Sequence, residues 1–181
     1  SQLKTIGDYV FRNCTALKNV YIPDSVATIG YDIFYMCGSQ VVVNVPENSY
    51  ALKYANRYGY SVITREPVPV VKYSGTLGDG LTWELYSDGT LYINGNGTMP
   101  DFHYAVYAEN ATPWSLYRSE ITKVVIGAGV KNIGTYAFYQ CTNLSEVEFA
   151  AGSTLTAINE GAFGYTTALK SIVLPASLKN I

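Results

Sequence analysis

Three cysteines, one histidine, three aspartates in turn-like contexts and one short glycine run are the residues whose types could support chemistry. Cys14 and Cys37 occupy equivalent places in adjacent repeats, which puts them about one strand spacing apart and raises the question of a disulfide. Equivalent side chains in neighbouring coils stack in parallel, and a bridge needs a torsion that such stacking does not readily supply. Cys14, Cys37 and Cys141 are therefore read as free, buried thiols. A zinc site needs converging ligands, and His103 is the single histidine, so no metal is expected. Asp79, Asp88 and Asp101 have the right type for a carboxylate pair in glycoside hydrolysis or for calcium ligation. In turns beside glycine, aspartate more commonly accepts backbone hydrogen bonds, and that reading is preferred. Gly95-Asn96-Gly97 superficially resembles a phosphate-binding run, yet it follows a hairpin strand and precedes no clear helix, so it is read with Asn94 as a tight turn. No nucleophile elbow and no helix with paired histidines and a glutamate is present. These residues predict no enzyme, no cofactor and no metal.

The elements that carry them repeat. Ile133-Gly134-Thr135-Tyr136-Ala137-Phe138-Tyr139-Gln140-Cys141 returns from Ile6, from Ile29 and from Ile158, with starts 23 residues apart in the first pair and 25 in the second. A period in this range marks a protein of stacked coils. Aligned on the isoleucine, Phe11, Phe34, Phe138 and Phe163 fall at the fifth following place, and Cys14, Cys37, Cys141 and Thr166 at the eighth. Val20, Val43, Val147 and Ile172 are followed two residues later by Ile22, Val45, Phe149 and Leu174, the alternation of a short strand with one face buried. Each repeat is thus expected to supply one short strand, closed by Pro23, Pro46 or Pro175 in three copies. The stretch between isoleucine and cysteine is too short for a sustained helix, and its phenylalanine is expected to plug the gap between coils.

Between the two pairs the pattern changes. Residues 47–59 have helical character, with Asn48 or Ser49 as N-cap and Gly59 just past the end, and residues 60–64 make a last strand. Such a helix and strand suit a terminal cap. Leu81–Leu85 and Thr90–Ile93 alternate around Asp88-Gly89 and predict a hairpin. Pro113-Trp114 is expected to fix the loop-rich region after it against the first coil. The predicted organisation is 1–65, the closing part of one repeat module with its cap; 66–71, a stiff linker around Pro67-Val68-Pro69; 72–120, a hairpin cap region; and 121–181, the opening part of a second module. The fold class is a mainly β, α+β repeat solenoid of about 23 residues per coil. The chain begins at Leu3-Lys4-Thr5-Ile6 and stops at Leu178-Lys179-Asn180-Ile181 in the same register. It therefore reads as a piece of a longer tandem array, and head-to-tail association through the two apolar ends is expected.

A content of 48% apolar and 14% charged residues fits a packed core, and a net charge of −2 without runs of one sign removes nucleic acid and anionic membranes as partners. No apolar run approaches the roughly 20 residues needed to span a bilayer, so no membrane insertion is expected of this stretch. The 17 tyrosines suit a contact surface of amphipathic rings.

On Ile133 to Leu144, and at the matching places over 3–46 and 121–181, the chain resembles the BspA-like leucine-rich-repeat family. Asn159 for glycine, Thr166 for cysteine and Ala150 for proline depart from the family pattern. The resemblance implies an extracellular or cell-surface location and adhesion to host matrix or to other microbes, with no ligand residues to transfer and with any export signal or anchor outside this stretch. Two partner classes follow. A protein would meet the strand-lined face, where Tyr21, Asn44, Val125, Glu148 and Val173 are expected to point outward beside Asn19, Lys123, Glu146 and Ser171. A glycan would use rings of the hairpin region, Trp83, Tyr86, Tyr92, Phe102, Tyr104 and Tyr107, for which packing within the cap is the simpler reading.

Overall fold

The repeated isoleucine and phenylalanine positions are the places where one coil rests on the next. A computed structural model describes residues 2–66 and 68–181, so Pro67 of the expected linker lies outside the described residues. The chain divides into two compact units, Ser1–Val68 and Pro69–Ile181.

In chain order the first unit holds β1 (Thr5–Ile6), β2 (Asn19–Tyr21), β3 (Thr28–Ile29), β4 (Val42–Pro46), α1 (Tyr50–Arg57) and β5 (Ser61–Arg65). Strands β2, β4 and β5 form a parallel sheet, and the two-residue β1 and β3 pair at the isoleucines of successive coils. Helix α1 starts where the Ser49 hydroxyl accepts the Leu52 N–H at 3.0 Å, which satisfies one of the donors a helix start leaves open. It buries Ala51, Tyr54 and Ala55. Gly59, at φ 70°, lets the chain turn back into β5.

The second unit holds β6 (Val71–Thr76), β7 (Leu81–Tyr86), β8 (Thr90–Gly97), a 3-10 helix at Ser115–Glu120, β9 (Lys123–Ile126), β10 (Gly129–Val130), β11 (Asn132–Ile133), β12 (Glu146–Phe149) and β13 (Ala157–Ile158). The hairpin is there, and β6, which has no distinct sequence signal, makes it three-stranded. These antiparallel strands continue directly into the parallel coil strands in the order β6-β7-β8-β9-β12. Residues 94–97 are not a turn but the end of β8, where Asn96 and Gly97 pair with β10. The glycines serve close approach: a Cβ on Gly95 would meet the Gly80 carbonyl, and one on Gly97 the Asp79 carbonyl.

An aromatic ladder runs through each core. Phe11 stacks on Phe34 at 5.5 Å between centroids, and Tyr60 of the cap meets Phe34 edge-on at 5.1 Å. In the second unit Trp114 stacks on Phe138 at 5.7 Å and Phe138 on Phe163 at 5.3 Å. The indole N–H of Trp114 donates to the Ala137 carbonyl at 2.9 Å, so its polar atom is satisfied in the core. Both caps thus extend the ladder with a different aromatic residue.

The turn between isoleucine and cysteine has a regular geometry. Its third place (Tyr9, Asp32, Tyr136, Gly161) and its seventh (Asn13, Met36, Gln140, Tyr165) have positive φ in all four copies. Left-handed backbone costs a non-glycine residue roughly 1 kcal/mol. The offset comes from between the coils. The N–H groups of Tyr136, Phe138 and Gln140 donate to the carbonyls of Glu160, Ala162 and Gly164 at 2.7–3.1 Å, and Tyr9, Phe11 and Asn13 do the same to the coil above them.

Two further expectations need correction. The fourth copy does not supply a strand: Ser171–Leu174 is not paired with β12. From Ile22 to Ile29 is seven residues, but from Phe149 to Ile158 is nine, and the added length forms a turn at Ala151-Gly152 beside the end of β12. All three cysteines are free, but Cys14 is exposed while Cys37 and Cys141 are buried. Cys14 sits in the outermost coil of its unit, with no described layer on its far side. Burial pushes the Cys141 thiol up to about 12.

Two of the three aspartates, Asp88 and Asp101, accept backbone hydrogen bonds as expected. Asp88 accepts the Thr90 N–H at 2.9 Å. Asp101 bridges two coils, its Oδ1 accepting from the Thr135 N–H at 2.7 Å and the Asn159 amide at 2.9 Å, which holds its pKa below the usual carboxylate value. A depressed folded pKa contributes stability above the unfolded value, near 4, that is lost as pH falls through the folded one. Asp101→Asn is expected to lower stability at pH 7 by about 0.5–1 kcal/mol, discounted for the exposure of the group. The difference from the parent should close between about pH 5 and pH 2 in denaturation curves. A difference constant across that range would assign the effect to something other than this charge.

Candidate binding surface

Alternation along the second unit's strands sorts its side chains cleanly. Leu81, Trp83, Leu85, Leu91, Ile93, Val124, Ile126 and Val147 are buried in one face. Glu84, Tyr86, Tyr92, Lys123, Val125, Glu146 and Glu148 lie on the other. Register brings Glu146 opposite Lys123, and Glu148 opposite Val125. Lys123 Nζ reaches both carboxylates, at 2.7 Å from Glu146 and 2.9 Å from Glu148. Its pKa rises because it donates hydrogen bonds to Glu146 and Glu148. Exposed pairs of this kind contribute at most about 1 kcal/mol to stability. One ammonium between two carboxylates leaves the patch with an excess negative charge.

On the adjoining strands Tyr86 and Tyr92 meet edge-on at 5.2 Å, and Tyr92 is in register with Val125. Two rings considered for sugars thus share a face with the residues considered for a protein. Beyond β12 the unpaired segment stands off, and a cleft of about 560 Å³ opens, lined by Glu146, Glu148, Phe149, Gly152, Val173 and Leu174. Val173 is 84% exposed at its rim. Lys123, Val125, Glu146, Glu148 and Val173 are therefore brought together. The cleft itself was not legible in the repeat pattern, which predicts a fourth strand in that place. The longer spacing between Phe149 and Ile158 is the signal that could have found it.

Tyr21 and Asn44 belong to the first unit, in register with each other and with Ile63. Tyr21 is 71% exposed, as expected, but Asn44 is buried at 6%. It lies on the central strand between two larger side chains, Tyr21 and Ile63, and its amide nitrogen has no hydrogen-bond partner among the described residues. Of the six rings in the hairpin region, Trp83 and Phe102 are not exposed. Both pack edge-on against Trp114, at 5.8 and 6.0 Å, because burying large rings completes the cap's core. Tyr104 is half exposed against Tyr136 and Tyr139, and Tyr107 is 91% exposed.

A model of the BspA type leucine-rich repeat region matches residues 1–62 and 102–181, with six copies. Among solved structures, a leucine-rich repeat protein from Eubacterium ventriosum ATCC 27560 is 28% identical, with a TM-score of 0.46 over 60% of this chain and 26% of that one. The chain therefore spans 26% of the length of that relative. No curated protein matches.

Proposed function

Because the chain belongs to the BspA-type leucine-rich-repeat family, we propose that it is a non-catalytic surface module binding a protein partner across the outward sheet face of its second unit. The observation that carries this reading is the open edge of β12 with the cleft beside it. An unpaired strand edge offers backbone donors and acceptors to an incoming segment, and the cleft gives that segment room. Val125 and Val173 supply apolar contact, and the excess carboxylate of the Lys123, Glu146 and Glu148 group favours a partner with a basic residue.

Family membership supports a place at the cell surface and adhesion to host matrix or to other microbes. Among the described residues no helix is long and apolar enough to cross a membrane. In this reading residues 1–65 close one repeat module, and 72–120 cap the module that 121–181 opens. A second reading, glycan binding, is favoured by the half-exposed Tyr86 and Tyr92 pair on the same face.

Labelled chain is expected to bind immobilised matrix proteins or whole bacterial cells saturably, and Glu148→Lys combined with Val173→Asp to weaken that binding by about tenfold or more. Protease treatment of the target should abolish it. Loss after periodate but not after protease would replace the protein reading by the sugar reading. Binding unchanged in the double variant would place the contact on another surface.

A further inference from the structure

A second recess lies in the first unit, between α1 and the turn that follows Ile29. It has a volume of about 310 Å³, and Tyr31, Tyr50, Lys53, Tyr54, Arg57 and Tyr58 contribute to its walls. Four of these, Tyr50, Lys53, Tyr54 and Arg57, are spaced i, i+3, i+4, i+7, so one stripe of the helix faces it. Lys53 and Arg57 are like charges one turn apart, an arrangement that opposes helix formation. No carboxylate among the described residues lies within ion-pair distance of either, although the charge of Asp32 is felt by Tyr54. Tyr54 is 7% exposed, and its hydroxyl oxygen accepts the Ile33 N–H at 3.3 Å. Its own proton has no acceptor among the described residues.

We infer that this recess binds a carboxylate-bearing sugar, a uronic or sialic acid residue of an acidic glycan. Lys53 and Arg57, on one face and without a carboxylate partner among the described residues, provide a carboxylate site. The Arg57 guanidinium lies 6.0 Å from the centre of the Tyr58 ring, and a guanidinium matches a carboxylate with two parallel hydrogen bonds. The tyrosine rings, amphipathic and carrying hydroxyl groups, suit a hydroxylated ring better than an alkyl side chain. The volume is at the low end for ligand pockets and fits one sugar unit rather than a chain. A peptide is the poorer fit, because extended peptides use an open strand edge and these walls are a helix and a closed turn. This site is on the first unit, and it stands independently of the sheet-face reading.

The test uses the full chain with the methyl glycosides of N-acetylneuraminic acid and of glucuronic acid, neutral methyl glucoside, and hexaglutamate, followed by NMR titration. Saturable binding of at least one acidic glycoside is expected, with the neutral sugar weaker by about tenfold or more. The two acidic arms distinguish the sialic from the uronic source. Lys53→Gln with Arg57→Gln should weaken acid binding to a similar degree while leaving the melting temperature equal or higher, since the repulsion along α1 is removed. The inference is overturned if neither acid binds below an order of 10 mM, if the neutral glucoside binds equally, if hexaglutamate binds more tightly, or if the charge variant leaves acid affinity unchanged.

Discussion

Phe138→Ala is expected to destabilise the second unit by about 3–5 kcal/mol, a shift of roughly 10–20 °C in its melting temperature. Phe138 is fully buried and stacked on both sides, by Trp114 and by Phe163. Truncation removes the transfer energy of the ring and leaves a cavity between coils whose spacing is held by the Phe138 N–H to Ala162 and the neighbouring backbone bonds. The site has little freedom to collapse, which places the cost high in the range. Both tryptophans lie in the second unit, so indole fluorescence during denaturation reports this change directly. Phe11, at the same place in its repeat, is half buried and among the described residues has a stacking partner, Phe34, on one side only. Phe11→Ala should therefore cost distinctly less, about half, measured by calorimetry. Equal losses at the two positions would mean that the ladder is not what sets the energy.

Asn132→Ala should cost about 2–4 kcal/mol through polar groups rather than volume. The Asn132 side chain closes both ends of one peptide position: its oxygen accepts the Met99 N–H at 2.8 Å and its nitrogen donates to the Met99 carbonyl at 2.9 Å. Met99 is 1% exposed, so truncation leaves a donor and an acceptor without water to replace the amide. The measurement is a denaturant midpoint with unchanged slope. Asn132→Asp keeps the acceptor and loses the donor, and is expected to fall between the parent and alanine. A loss below about 0.5 kcal/mol for the alanine variant would show that solvent reaches Met99.

The repeat positions that point inward were legible because each is an apolar type recurring at one period. Ile6, Ile29, Ile133, Ile158 and the phenylalanines could be placed without knowing any distance. The helix at Tyr50 and the hairpin were legible for a similar reason, since a Ser49 cap and an Asp88-Gly89 turn are local signals. The left-handed places were not. Met36 and Gln140 have no intrinsic preference for positive φ, and they adopt it because the stacked coil rewards the backbone with hydrogen bonds. The end of β8 failed for the opposite reason: Asn94-Gly95-Asn96-Gly97 has turn chemistry, and its glycines are used for backbone approach instead.

For the binding surface the division is the same. The sequence by itself determined the family, the stack of coils, the inward ladder and the outward position of Lys123, Val125, Glu146 and Glu148, because alternation and period are properties of the chain alone. Tertiary structure decided three further things: that Asn44 is covered by neighbours from other strands, that Trp83 and Phe102 are spent on the core, and that the fourth coil leaves β12 open. Each depends on what a neighbouring coil places beside a residue, and a two-residue change in repeat length alters that without changing any residue's type.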